Sequence, residues 1–404
     1  MPTWTDFLLY MTGALVVTAG VHAVLRAWLS PLWREAWPRL DRALWLGLAA
    51  LFPMGMLGLL FMNSLPRQLA TPLFWLCFGW VGLCYFLLGC MPLSWLLQLT
   101  LRRAHVTRAV ARRASRYVAC GAALCLSLAA SWQALRPPAT VLRRVELDRW
   151  PSSRNGYRIA HISDVHVGAT IGRRHVQTVV DRINQHHVDL VVITGDLVDG
   201  SVSALAAELA PLSGLRSRDG VFLALGNHEY FSPTEEWVRF LPSLGIVVLR
   251  NQLHALPHAD LVGIDEWSAP EFTPHHRPDV QATLLSRRST LPAIVLVHQP
   301  QALRVLRSLN QAALQQGQPA VADLQLSGHT HGGQIFPLGQ LARWDQGQLD
   351  GITHAQGLTV HVTPGTGYWG PAMRLLSRAE VSILDLYATA SAQSTAHHAS
   401  QGAP

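Results

Sequence analysis

Four long apolar stretches in the first 135 residues set the strongest limit on how this chain can fold. Each stretch approaches or exceeds the ~20 apolar residues that a helix needs to cross the hydrocarbon core of a bilayer. The stretches are Phe7–Leu25, Ala43–Met62, Pro72–Leu99 and Tyr117–Leu135. They predict a transmembrane domain of about four helices over residues 1–136. A cleaved signal peptide is the alternative for the first stretch, but no basic segment precedes it and further apolar stretches follow.

The arginines between these stretches predict how the chain is oriented. Loops one and three together hold ten arginines, against five in loop two and just after the last stretch. Because positive loops stay in the cytoplasm, everything after the last stretch is predicted to be extracytoplasmic, at a bacterial inner membrane. An odd number of spans would reverse this orientation.

Other features of the composition exclude certain classes of protein. All five cysteines fall in the third and fourth apolar stretches, so disulfides do not stabilise the region that follows. The chain has no lysine, and much of its formal charge of +7 comes from arginines beside the apolar stretches. The sequence therefore shows no basic stripe of the kind that binds nucleic acid.

From Tyr157 onward, short apolar runs alternate with helical patterns, as in an α/β domain. The predicted strands are Arg158–Ser163, Leu190–Thr194, Val221–Leu225, Leu261–Ile264, Ala293–Val297, Leu324–Ser327, Leu358–Thr363 and Val381–Leu384. The predicted helices include Arg173–His186, Pro233–Leu244 and Pro300–Gln315. We expect a linker at 137–156, the α/β domain at 157–388 and a disordered tail at 389–404.

Five polar blocks each begin where a predicted strand stops, which is where α/β folds bind ligands. The blocks are Asp164-Val165-His166, Gly195-Asp196, Gly226-Asn227-His228-Glu229, Val297-His298 and Gly328-His329-Thr330-His331. Together they supply enough carboxylate, amide and imidazole donors to hold two divalent metals. Two neighbouring metal ions are typical of enzymes that hydrolyse phosphate esters.

Each block has a structural alternative when it is considered alone. Asp164 and His166 point the same way on an extended segment, but such pairs also arise by chance. Asp196 can bridge two metals, or simply cap a helix. Asp199 is predicted to support a ligand rather than to be one. His298 alone would be a core histidine, so the conjunction of the blocks carries the prediction.

The two remaining blocks carry the most local information. Gly328-His329-Thr330-His331 places two histidines at alternate positions between glycines, which permit close approach of the backbone to a metal or phosphate. His228 follows Asn227, an uncharged metal ligand, and is predicted to donate a proton to a leaving oxygen. Glu229 either orients His228 or is a surface carboxylate.

The order of these blocks resembles the calcineurin-like metallophosphoesterase superfamily. The resemblance covers Tyr157 to Leu386, and the segment Thr363–Arg374 resembles a branch with N-terminal membrane helices or an export signal. That branch is also similar to UDP-2,3-diacylglucosamine pyrophosphatases. The resemblance implies a four-layer αββα sandwich after the helical bundle, two ions (manganese, iron, zinc or nickel) and His228 as proton donor. It implies one metal held by Asp164, His166, Asp196 and His331, and a second held by Asp196, Asn227, His298 and His329.

The predicted function is a membrane-anchored hydrolase of phosphoester or pyrophosphate bonds, with a hydroxide between two metals as nucleophile and His228 as general acid. The partners are then the lipid bilayer and a phosphorylated substrate, which the apolar segments Trp267–Phe272 and Gly367–Met373 suggest is lipid-linked. The alternatives are a general phosphodiesterase merely localised by its anchor, and a non-catalytic sensor or scaffold. One hypothesis for Trp344–His354 is a flap over the site. The sequence makes no prediction of oligomeric state.

Overall fold

The chain folds into two compact units, seen in a computed structural model that describes residues 4–60 and 67–390. The helical unit comprises Pro2–Leu135 and Gly370–Arg374. The α/β unit comprises Arg136–Trp369 and the residues from Leu375 onward. Of the predicted tail, 389–404, the residues from 391 onward lie outside the described residues.

The helical unit is built from four long helices. They are α1 (Trp4–Leu29), α2 (Pro38–Leu60), α3 (Arg67–Arg103) and α4 (Arg108–Leu135). Within the described ranges, three spans are long and apolar enough to cross a membrane: Leu15–Leu32, Gln68–Arg103 and Arg108–Leu135. The predicted span Ala43–Met62 is not among them, and it ends beyond the last described residue of α2. The prediction of four spans is thus supported for three.

A buried carboxylate holds the connection between α1 and α2. Asp41 is 1% exposed and accepts hydrogen bonds from Nε1 of Trp33 at 3.0 Å and from the guanidinium of Arg26 at 3.2 Å. Ser30 also donates its hydroxyl to this carboxylate. Since a buried carboxylate is costly unless it is paired, these donors stabilise one geometry of the turn.

The α/β unit contains twelve strands and eight helices among the described residues. The strands are β1 (Ala139–Leu147), β2 (Tyr157–Ile162), β3 (Leu190–Thr194), β4 (Val221–Ala224), β5 (Ile246–Leu249), β6 (Gln252–Ala255), β7 (Asp260–Gly263), β8 (Ala293–Leu296), β9 (Leu324–Ser327), β10 (Gly351–Ala355), β11 (Leu358–Val362) and β12 (Glu380–Ala388). The helices are α5 (Arg173–Asn184), α6 (Val202–Leu209), α7 (Asn227–Phe231), α8 (Thr234–Phe240), α9 (Ala269–Phe272), α10 (Val280–Leu285), α11 (Leu303–Gln315) and α12 (Gly339–Gln346).

The strands form two six-stranded sheets that pack as a sandwich. The first sheet has the order β1-β12-β2-β3-β4-β5, and the second has the order β10-β11-β9-β8-β7-β6. The β2-β3-β4 ladders are parallel, as is the β8-β9 ladder. Parallel neighbours end at the same edge of a sheet. The loops after β2, β3 and β4 therefore form one row, and the loops after β8 and β9 form an adjacent row.

Apolar residues of both sheets meet in one core. Ile159 and Leu190 of the first sheet share a buried cluster with Leu261 and Ile294 of the second. The outer face of the second sheet packs against α11, which contributes Leu303 and other apolar side chains. Helix α5 lies against β12 of the first sheet. Burial on both faces explains why these strands appear in the sequence as continuous apolar runs.

The structure corrects the prediction for residues 137–156. Ala139–Leu147 was expected to be a linker, but it forms β1 and pairs in parallel with β12 along its whole length. Arg143 of this strand also forms a two-contact ion pair with Glu380, at 2.6 and 3.0 Å. β5, β6 and β10 were not predicted either. β6 and β10 are edge strands of half-buried or exposed residues, and they lack the continuous apolar run that marks the buried strands.

Candidate metal centre

The five predicted blocks all follow strands that end at the same edge of their sheet. Asp164 and His166 follow β2, Asp196 follows β3 and Asn227 follows β4, and these strands are neighbours. The blocks after β8 and β9 supply the remaining donors: His298, His329 and His331. The loops are also joined to each other, because the backbone N–H of Asp164 donates to Gly195 O at 3.0 Å.

Five of the predicted metal-binding residues have a left-handed backbone. Their φ angles are 53° for Asp164, 53° for His166, 53° for Asp196, 70° for His329 and 50° for His331. Residues with a side chain rarely adopt this conformation, and it persists where the surrounding structure enforces it. In this fold it turns each side chain inward at the end of its strand.

The first group of donors combines residues that follow strands of both sheets. Nε2 of His166 is 3.1 Å from Nε2 of His331, and Nε2 of His331 is 3.5 Å from Oδ1 of Asp164. Ligand atoms of these three residues all lie within 4.8 Å of one another. Such spacing is suited to a single bound cation.

The second group is centred on Asp196 and His298. Nε2 of His298 lies 3.2 Å from Oδ2 of Asp196, 3.1 Å from Oδ1 of Asn227 and 3.1 Å from Nδ1 of His329. Oδ2 of Asp196 is also 3.7 Å from Nε2 of His166, which belongs to the first group. Asp196 therefore lies between the two sets of donors.

Hydrogen bonds on the outer side of the imidazoles orient them. Nδ1–H of His298 donates to Thr194 O at 2.7 Å, and Nδ1–H of His166 donates to Oδ1 of Asp199 at 3.1 Å. Each ring then presents its Nε2 to the centre. Such outer partners are the usual way in which proteins fix the tautomer of a metal-binding histidine.

The electrostatics of the second group favour a positive charge at its centre. Burial opposes a charge on His298, but the Asp196 carboxylate outweighs it and holds the pKa of His298 well above its ordinary value. Burial likewise opposes ionisation of Asp196, yet His298 and His228 hold its pKa well below the usual range. Burial lowers the pKa of His329 to about 3, so this imidazole is a neutral donor.

The donor set fits divalent transition metals. Carboxylate, amide oxygen and neutral imidazole are the ligands such ions take, and histidine-rich sites disfavour calcium. The negative charge of Asp196 stabilises a proton on His298, and it would stabilise a bound cation in the same way. Asp196 belongs to one of the two donor groups and lies near the other, so both groups offer ligands that a divalent ion could take.

His228 occupies a different position from the other histidines. Its Nδ1 is 2.6 Å from Oδ1 of Asp199, and its Nε2 is 4.0 Å from Oδ2 of Asp196. Burial opposes its charge, but Asp196 and Asp199 raise the pKa of His228 to about 9. It also forms a possible ligand trio with His166 and Asp196. A protonated imidazole at the rim of the centre is placed to donate a proton.

Glu229 has a role that neither sequence alternative anticipated. It is fully buried, and its carboxylate accepts backbone N–H groups from Gly226 at 2.7 Å, Asp196 at 2.9 Å, Leu197 at 2.7 Å and Val198 at 3.2 Å. It therefore neither orients His228 nor lies on the surface. One carboxylate instead joins the Asp196 loop to the Asn227 loop. The sequence motif Gly-Asn-His-Glu was the available signal for this role. A glutamate three residues after a loop glycine can accept the backbone N–H of that glycine.

Two glycines are required by close packing within the centre. A Cβ on Gly226 would lie 2.3 Å from Oδ1 of Asp196, and a Cβ on Gly328 would lie 2.3 Å from Oδ2 of Asp164. Each glycine thus lets a backbone approach a carboxylate of the candidate metal centre. This gives the glycines of two sequence blocks a specific steric reason.

Comparison with known proteins agrees with this geometry. Residues 157–333 match the family model described as calcineurin-like phosphoesterase. A zebrafish (Danio rerio) relative, "Transmembrane protein with metallophosphoesterase domain", is 38% identical over 263 residues, covering 63% of this chain and 58% of its own length. An uncharacterized metallophosphoesterase of Helicobacter pylori is 36% identical over 230 residues, covering 57% of this chain and 59% of its own length.

A shorter relative aligns over most of its length. An uncharacterized metallophosphoesterase of Bacillus subtilis is 29% identical over 246 residues, covering 59% of this chain and 82% of its own length. The chain spans less than two thirds of the length of the zebrafish and Helicobacter pylori relatives. All five strand-end blocks lie within the matched region, and residues 157–333 are therefore a calcineurin-like metallophosphoesterase domain.

Proposed function

We propose that the chain is a membrane-anchored, metal-dependent hydrolase of phosphoester or pyrophosphate bonds. The observation that carries this proposal is the position of Asp196 between two sets of metal donors. Shared between two ions, its carboxylate would keep them close enough to act on one phosphate group. A single structural metal would need only one of these sets.

The two sets of donors would hold one ion each. Asp164, His166, Asp196 and His331 form the first set, and Asp196, Asn227, His298 and His329 form the second. When bound, the ions would supply an activated water and neutralise charge on the phosphoryl oxygens. The chain's own contribution is to fix these donors, through Thr194, Asp199 and Glu229, before the substrate arrives.

His228 is proposed to be the general acid. As water attacks phosphorus, the bond to the leaving oxygen breaks, and that oxygen takes the proton from Nε2 of His228. Nδ1 is not the donor because it already binds Asp199. The pKa of about 9 keeps the imidazole protonated near neutral pH. Donation from such a group is suited to an alcohol or phosphate leaving group.

For the substrate class we propose a phosphate that is linked to a lipid. The ring of His228 has apolar neighbours: its centroid is 4.9 Å from that of Phe231 and 5.6 Å from that of Trp369. Phe231 in turn contacts Phe272 at 4.9 Å. An apolar border of this kind favours a substrate with a hydrocarbon part. A general phosphodiesterase, localised by its helices, would not need it.

The arginine distribution supports an extracytoplasmic α/β unit at a bacterial inner membrane. This orientation requires an even number of spans, and the three clear spans make α2 the deciding helix. A reporter fused to the C-terminus distinguishes the two cases. Alkaline phosphatase activity is expected from the fusion, and fluorescence of a cytoplasmic reporter would contradict this orientation.

The hydrolase proposal is tested with the purified full chain. We expect manganese, iron, zinc or nickel to bind at two ions per chain and to support hydrolysis of bis(p-nitrophenyl) phosphate. Asp196→Asn should lower the rate by more than about 100-fold, since it weakens both sets of donors. Asp181→Asn, an exposed carboxylate on α5, is the matched control. Binding of a single ion, or equal rates in both variants, would refute the proposal.

A further inference from the structure

A row of large apolar side chains lies exposed directly after the last metal-binding block. Phe336, Leu338, Leu341 and Trp344 follow His331 within thirteen positions, and Trp344 is 84% exposed. Leu338, Leu341 and Trp344 are spaced by three residues at α12, so they lie on one side of the helix. Contiguous exposed apolar groups of this size mark an interaction surface rather than ordinary surface variation.

Backbone contacts connect this row to two further exposed apolar residues. Phe336 N–H donates to Leu375 O at 3.2 Å, which places it beside Leu376, itself 79% exposed. The side chain of Gln334 exchanges two hydrogen bonds with the backbone of Trp369, at 2.8 and 3.1 Å. We call the six residues Phe336, Leu338, Leu341, Trp344, Trp369 and Leu376 the apolar rim.

The apolar rim is continuous with the metal centre. Trp369 contacts His228, the proposed proton donor. The start of α12 also lies against the metal-binding block, since a Cβ on Gly333 would meet Gly339 at 2.3 Å. The rim therefore borders the point at which a substrate would enter.

We propose that the apolar rim inserts into the lipid headgroup region of the membrane that the helical unit occupies. A bilayer is the apolar partner that is always present, because the chain's own helices are proposed to span it. Gly370–Arg374, the five residues that directly follow Trp369 and end two positions before Leu376, belongs to the helical unit, in which Arg374 N–H donates to Ala130 O of α4 at 2.9 Å. Two rim residues are thus covalently joined to a segment that packs with membrane helices.

The chemistry of the rim also suits a lipid interface. Tryptophan is favoured at the headgroup level because its ring is apolar while its N–H is polar. Arg343 directly precedes Trp344 and Arg378 lies two positions after Leu376; both are exposed and form no ion pair with the residues that the structure describes. Free guanidinium groups beside apolar side chains complement the phosphates of the headgroups. A protein partner would not require this pairing.

The proposed insertion deepens the proposed function, because it would place the metal centre at the depth of a lipid-linked phosphate. Its test does not depend on hydrolysis. The full chain is reconstituted into vesicles of phosphatidylethanolamine and phosphatidylglycerol, with photoreactive benzoylphenylalanine in place of Leu341 or Trp344. Illumination is followed by mass spectrometry of the adducts. Leu314, an exposed leucine of α11 outside the rim, carries the probe in the control.

We expect phospholipid adducts at positions 341 and 344 and none at 314. Adducts to a second copy of the chain, or no adducts at 341 and 344, would overturn the proposal.

A kinetic comparison adds the link to function. Leu341→Glu combined with Trp344→Glu should lower hydrolysis of a lipid phosphodiester in vesicles by roughly 10-fold or more, while bis(p-nitrophenyl) phosphate is hydrolysed as before. Leu314→Glu should change neither rate, and lipid adducts from a chain without hydrolysis would refute the proposed function alone.

Discussion

Oδ1 of Asp199 lies 2.6 Å from Nδ1 of His228 and thereby fixes which nitrogen of that ring faces the metal centre. The same oxygen lies 3.1 Å from Nδ1 of His166. Burial raises the pKa of Asp199, but His166 and His228 outweigh it and hold that pKa well below the usual range. One permanently charged carboxylate thus orients a proposed ligand and the proposed proton donor together.

Replacement of His228 should separate substrates by their leaving groups. His228→Ala is expected to slow esters with alkyl leaving groups by about 10²–10⁴-fold, the usual contribution of a general acid. The rate of hydrolysis of p-nitrophenyl esters should fall much less, because that leaving group departs without a proton. The measurement is kcat for both substrate types at saturating metal. An equal loss on both would contradict the acid role.

Replacement of Asp199 should move the pH dependence of the reaction. A nearby carboxylate favours the charged imidazole, so Asp199→Asn is expected to lower the pKa of His228 by roughly 1 to 3 units. Activity that requires protonated His228 declines as pH rises through that pKa, so the decline should begin at lower pH in the variant. The check is a pH profile of kcat with an alkyl ester. Asp219→Asn, on a carboxylate that pairs with Arg218 outside the centre, should leave the profile in place.

Glu229 should matter for stability as much as for activity. Glu229→Ala leaves four buried N–H groups without their acceptor, and we expect a loss of about 3 to 5 kcal/mol in the free energy of unfolding. Metal content should fall as well, because the Asp196 and Asn227 loops lose their common anchor. Urea unfolding of the purified chain provides the measurement. The exposed Glu236→Gln is the control, and a Glu229→Ala chain of unchanged stability would refute this role.

A buried pair of histidines should make the α/β unit sensitive to acid. Nδ1 of His161 lies 3.0 Å from Nδ1 of His361, and both rings are fully buried. Burial lowers the pKa of His161 to about 3 from 6.5, and burial also holds that of His361 well below its ordinary value. The folded state therefore binds fewer protons than the unfolded state. Stability is full above pH 6.5 and is lost as pH falls below it, by about 1.4 kcal/mol per pH unit for each histidine.

His361→Gln tests this pair, because glutamine can still bond to His161 but does not titrate. The unfolding free energy of the variant is expected to depend less steeply on pH between pH 7 and pH 5 than that of the parent chain. The exposed His354→Gln should keep the parent's slope. Parallel slopes for the His361→Gln and parent chains would show that other groups cause the acid sensitivity.

The strand-end blocks could be located from sequence because the relevant pattern is local. A buried parallel strand is a short apolar run, and the polar residue that follows it marks its carboxyl end. The eight predicted strands therefore correspond to observed strands within a few residues, except that β12 extends from Glu380 to Ala388. The edge strand β1 escaped prediction, because its half-exposed residues and arginines resemble a linker when its partner β12 is unknown.

The amino-acid sequence by itself determined which donors the chain offers, that they follow strands, and that apolar helices precede them. The tertiary structure decided which donors meet: Asp196 lies 3.2 Å from the ring of His298, although 102 positions separate them. It also decided that Glu229 is buried and that Trp344 is exposed. The physical reason is that strand order and packing depend on contacts between distant segments, whereas hydrophobic periodicity and ligand spacing are properties of neighbouring residues.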